Sequence, residues 1–78
     1  MSHTPHELHE EFPEHADRIH ALKIADPLFA KLAEEYHTVN RAVHRAETLI
    51  EPMDSLAETE LRKSRAALKD QLYQMITA

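Results

Sequence analysis

The chain has no glycine, no cysteine and no tryptophan, and only two Phe and two Tyr among its 78 residues. Without glycine there is no P-loop and no dinucleotide-binding fingerprint, since both need residues without a Cβ where the backbone closes on phosphate. Without cysteine, disulfides and thiolate metal sites are excluded. Few aromatics leave aliphatic side chains to supply most of the burial, in a chain near the size at which one core is marginal. A second subunit or a His/carboxylate metal site are the supplements left to it. No apolar run approaches the roughly 20 residues of a membrane span. Met1 to Glu7 lacks the basic start and apolar stretch of a signal peptide. A cytoplasmic protein with no membrane partner is therefore expected. The formal charge of −5 disfavours bulk attraction to nucleic acid. That charge is uneven: up to Asp26 acids outnumber bases six to two, and from Ser55 onward bases outnumber acids four to three.

What is present is helical periodicity. Phe29, Leu32, Tyr36, Val39, Val43, Ala46 and Ile50 are spaced alternately three and four apart, and so are Leu61, Arg65, Leu68, Leu72 and Met75. This is the heptad pattern of helices that bury a narrow seam against one another. Asp26-Pro27 is a cap followed by proline and opens the first long helix, expected over 27–51; Pro52 ends it. Ser55-Leu56-Ala57-Glu58 reads as a capping box for a last helix over 56–76. So short a connection implies antiparallel neighbours. A register pairing Ala46 with Leu61, Val39 with Leu68 and Leu32 with Met75 satisfies both stripes. Upstream, Thr4-Pro5-His6-Glu7 is a helix start, and residues 5–25 read as an N-terminal helical segment kinked at Pro13. The expected fold is one all-α domain over 1–78. It is a long, coiled-coil-like antiparallel helical hairpin preceded by one or two shorter N-terminal helices.

The string Phe12-Pro13-Glu14, then Ile19, Leu22-Lys23, Pro27, Phe29, Leu32, Asn40, Glu47 and Leu68-Lys69-Asp70 resembles the YdcH-like family, small bacterial helical-hairpin proteins with a domain of unknown function. The resemblance covers about Phe12 to Met75. Where the family usually continues Leu-Lys-Asp with Glu, this chain has Gln71. The resemblance implies a helical, coiled-coil-like, self-associating cytoplasmic protein. It brings no catalytic or ligand-binding residues.

Arg65 stands at a seam position where Leu is expected. Side chains lean toward a helix's N-terminus, which aims Arg65 at Glu47, with Asn40 as a second partner; the alternative is an Arg65 that snorkels to solvent. Arg41, Arg45, Arg62, Lys63, Arg65 and Lys69 share the turn-proximal half and form a candidate anion-binding patch for phosphate, RNA or the acidic N-terminal arm of another copy. No aromatic side chain lies among them to stack on bases, so nucleic acid is not the expected partner. The seven histidines include His6 and His9, which with Glu10 are the nearest approach to a metal-ligand set. No closed four-ligand set is visible, and no metal or other cofactor is expected. His37 and His44 flank the seam, where imidazole titration would make self-association pH-dependent. Adjacent acids such as Glu34 and Glu35 diverge on a helix, and a thin hairpin offers no enclosed cleft, so no enzyme is expected.

Two helices bury one face each, which leaves Leu8, Phe12, Ile19 and Leu22 in need of a surface. Either the N-terminal helices fold back in cis or two chains combine. Small size favours a homodimer or higher oligomer. The leading reading is an interaction module acting on itself or on a helix of another protein. The competing readings are an accessory protein using the basic patch, and a His-based metal binder.

Overall fold

The computed structural model describes residues 5–48 and 53–78. The described chain is all-helical, with no strand. Helix α1 spans Leu8–Glu11, α2 Ala16–Ala25, α3 Pro27–Glu47 and α4 Ser55–Ile76, with a 3₁₀ turn at Pro13–His15 between the first two. No helix among the described residues is long and apolar enough to cross a membrane.

The helix starts follow local chemistry, with two departures from expectation. The carboxylate of Asp26 caps α3 as its sequence demands, accepting from the amides of Leu28 at 3.0 Å and Phe29 at 3.2 Å, with Pro27 in the first turn. The last helix is capped by Asp54 instead of Ser55. Asp54 Oδ1 accepts from the Ala57 amide at 2.8 Å, and Ser55 becomes the first helical residue. An ionised acceptor at a helix N-terminus also gains from the macrodipole, so the aspartate outcompetes the serine. The N-terminal start moves further. Glu7 is the cap of α1, in a capping box with Glu10, and Pro5 and His6 are not helical. His6 has φ 63°, which no right-handed helix accommodates. Thr4, Ile50, Glu51 and Pro52 lie outside the described residues. Helix α3 closes at Thr48, whose hydroxyl donates back to the His44 carbonyl at 2.9 Å.

One core joins the N-terminal segment to the two long helices. Leu8 and Ile19 are buried with Phe29, Ala33, Tyr36, Leu72 and Ile76, and Phe12, Leu22, Leu32, Leu68 and Met75 pack around them. Leu8, Phe12, Ile19 and Leu22 thus find their surface on the same chain. Burying a Leu or Ile side chain gives ~2 kcal/mol, so these residues are a material share of a small domain's stability.

This packing rotates the buried line of α3. Its buried residues are Phe29, Ala33, Tyr36, Asn40, Val43 and Ala46, whereas Leu32 and Val39 are only half-buried. Ala33 and Asn40 turn inward because residues 5–25 (hereafter the arm) cover that flank of the helix. On α4 the deepest positions are Leu72 and Ile76, with Leu61, Arg65, Leu68 and Met75 half-buried. Arg18 of α2 donates to the Ile76 carbonyl at 3.4 Å. It meets the carbonyl end of α4, which has no basic residue of its own in the last turn.

Candidate functional site

The most concentrated polar chemistry lies where the arm meets α3 and α4. Two buried side chains of α3 hold consecutive carbonyls of the non-helical arm residues. Asn40 Nδ2 donates to the Pro5 carbonyl at 2.8 Å, and the Tyr36 hydroxyl donates to the His6 carbonyl at 2.6 Å. The other end of Asn40 is also engaged, since Arg65 Nη1 donates to Asn40 Oδ1 at 3.1 Å. This bond fixes which way the amide faces and leaves the NH₂ group for Pro5. Burial pushes the Tyr36 phenol up to about 12, with the Glu11 carboxylate adding to the effect.

Two carboxylates of the arm complete the junction. Glu11 Oε1 accepts from Lys69 Nζ at 2.7 Å, and Glu11 Oε2 lies 3.4 Å from His6 Nδ1. The Lys69 hydrogen bond holds the Glu11 carboxyl below its ordinary value against the opposing effect of burial. Glu7 Oε2 lies 2.8 Å from His37 Nδ1. Lys69 also stands 5.8 Å from the centroid of the Phe12 ring, which stacks on Tyr73 at 5.3 Å. Beside this junction, Glu7, His9, Lys23, Glu34 and His37 line a cleft of about 490 Å³ between the arm and α3.

Several sequence candidates sit elsewhere than expected. Arg65 and Glu47 do not pair. Glu47 is taken by Arg62 at 3.1 Å, and Arg62 also approaches Glu58 at 3.4 Å. The rotation of α3 explains this, because it carries Asn40 inward to within reach of the guanidinium. In the candidate anion-binding patch, Lys63 lies 3.7 Å from Glu60 and Lys69 is held by Glu11. Arg62, Lys63 and Lys69 therefore each face a carboxylate and Arg65 an amide; Arg41 is exposed and Arg45 half-buried. Of the histidine set, His6 faces Glu11, Glu10 Oε1 accepts from the Glu7 amide at 3.3 Å, and His9 is exposed at the cleft. Among the described residues no group of three or more His, Asp or Glu is placed to hold a metal ion.

Tyr36, Glu7 and Glu11 were not among the sequence candidates; Lys69 was, in a patch read as open to the acidic arm of another copy, and here it holds the arm of its own chain. Two signals point to them: a Tyr on a buried stripe whose hydroxyl must find an acceptor, and the Glu7/Glu11 pair four apart on the segment left without a surface.

The two long helices that frame this junction also carry the relationship to other proteins. A family described as a protein of unknown function, DUF465, matches residues 29–76, more than half of the chain. The chain belongs to the DUF465 family. No curated protein and no solved structure matches it. The DUF465 match begins at Phe29, within the first turn of α3, and runs to the last residue of α4. Tyr36, Asn40, Arg65 and Lys69 thus lie inside the matched region. The arm they hold lies before it, including the Phe12-Pro13-Glu14 string.

Proposed function

We propose that the protein is a non-enzymatic helical interaction module of the cytoplasm, working through self-association. In this reading α3 and α4 form an antiparallel hairpin with two unlike faces. The cross-helix bonds support the antiparallel sense, since Glu47 meets Arg62 while the earlier Asn40 meets the later Arg65. One face is sealed by the arm.

The observation that carries the proposal is the other face. Val39 and Leu68 line an open groove there, rimmed by Lys31, Glu35, Thr38 and Gln71. Leu32, Val39, Leu61, Leu68 and Met75, which carry the heptad pattern, stay half-buried in the single chain. An apolar strip between polar margins has the anatomy of a protein interface. Small residues along it, Ser64 and Ala67, allow close approach of another helix. Its rim carries both signs of charge, as suits a surface that meets its own copy across a two-fold axis.

Sedimentation velocity over a broad concentration range tests the proposal. The expected result is a dimer or higher assembly that dissociates on Ala67→Glu, an exposed helix position where the substitution leaves the far-UV spectrum unchanged. A wild-type chain that stays monomeric at millimolar concentration would refute self-association.

A further inference from the structure

We infer that the arm is exchangeable, and that a second copy of this chain docks its own residues 5–25 onto the Tyr36–Asn40–Arg65–Lys69 site. The inference goes beyond the proposed function, because it concerns the opposite face of α3 and α4 and a different contact.

Three observations carry it. First, site and occupant are separable. The receiving residues all lie within α3 and α4, and α2 joins α3 through the single non-helical residue Asp26, followed by Pro27. Asp26 is extended, at φ −121° and ψ 105°. A short connection between two elements that pack on each other is the kind of hinge that invites exchange, because rotation at one or two residues releases the whole element. Proline next to it keeps Asp26 out of the helical region, so α2 and α3 do not fuse into one straight helix.

Second, the vacated site is poorly suited to water. Opening the arm would uncover Phe29, Ala33, Tyr36, Leu72 and Ile76, all buried here, together with the fully buried Asn40. Third, the demands of the site are specific. It needs two consecutive backbone carbonyls for Asn40 and Tyr36, a carboxylate for Lys69 and another for His37, and apolar groups at the positions of Leu8 and Ile19. The arm of another copy meets every one of these, so exchange restores each bond. Its free-energy difference from the closed chain is then set by concentration against the millimolar effective concentration typical of a short tether.

The natural absence of cysteine makes the test direct. A spin label is attached to His9→Cys, at an exposed arm position, on an unlabelled chain carrying Ala67→Glu. It is mixed with ¹⁵N-labelled Ala67→Glu chain, and the two are refolded together from urea at about millimolar concentration, the regime in which exchange competes with the tether. Ala67→Glu blocks the groove of the proposed function, so the two kinds of association are read apart. The expected result is intermolecular broadening of the Ala30 and Ala33 amides, which line the cleft shared with His9 and not the groove. Lengthening the hinge by three residues after Ala25 should then reduce the exchanged fraction several-fold. Unbroadened Ala30 and Ala33 signals overturn the inference. So does broadening centred on Val39 and Leu68, which would report groove packing instead.

Discussion

Replacing Asn40 tests the arm junction most directly, because its fully buried side chain is used at both ends. Asn40→Ala leaves the Pro5 carbonyl and an Arg65 N–H facing a small void. A buried group deprived of its partner costs about 1–3 kcal/mol, with charged groups at the upper end. Pro5 and Arg65 are both only half-buried, so water recovers part of the loss. The expected net cost is about 2 kcal/mol, which corresponds to a midpoint lower by about 10 °C in a domain of this size. Asn40→Asp separates the two bonds. It gives Arg65 a charge-assisted acceptor while turning the donor that held Pro5 into an oxygen facing an oxygen. Stability of the α3–α4 pair should persist while the arm loosens. Hydrogen exchange reads this at the Glu11 and Phe12 amides, which bond to the Glu7 and Leu8 carbonyls within and at the end of α1. Their protection should fall ~10-fold in Asn40→Asp, equivalent to about 1.4 kcal/mol, with the middle of α3 and α4 little changed. The reasoning is refuted if α1 stays as protected as in the wild type. It is equally refuted if Asn40→Ala costs less than about 0.5 kcal/mol, the range of ordinary surface changes.

Leu72→Ala, at a position with no exposure, should cost about 2–5 kcal/mol in urea melts, whereas Leu56→Ala, at 70% exposure, should change stability by less than about 0.5 kcal/mol. Because Lys69 lowers the pKa of Glu11 in the fold, Glu11 contributes stability above its unfolded value near 4.5, lost as pH falls through the folded value. Lys69→Met should move the Glu11 carboxyl titration, followed by carbon NMR, back toward 4.5. For Tyr36 the sign is opposite. Its contribution is complete below pH 10, declines as pH rises through about 12, and amounts to about 2–3 kcal/mol by linkage. Absorbance at alkaline pH should show one tyrosine ionising near 12, a step that Tyr36→Phe removes.

The legible parts of this molecule are those written in local chemistry. Asp26-Pro27 announces the start of α3, and Phe12-Pro13 the break after α1, because a cap and a missing amide act within one turn. Arg65 stood out as the polar residue on an apolar stripe, but Asn40, the partner it takes, ranked there only second to Glu47. Phe29, Ala33, Tyr36, Asn40 and Val43 are spaced four, three, four, three, as regular as the stripe through Leu32 and Val39. Hydrophobicity alone favours the latter. What tips the helix is the arm lying on its flank, a long-range fact that periodicity within α3 does not contain. The grip on Pro5 and His6 was invisible for a different reason: it is made to backbone carbonyls, which every residue carries.

His6 has a consequence of its own. Among the described residues it alone has positive φ, in a chain that contains no glycine to take such a position. A left-handed non-glycine residue costs about 1–2 kcal/mol. In return this one offers its carbonyl to Tyr36 and its ring to Glu11. Glycine there would relax the backbone but delete the imidazole and widen the unfolded ensemble, and a β-branched residue would fit worse than histidine. A single codon at position 6 can therefore set how firmly the first third of the chain is held, with every residue of the two long helices left as it is.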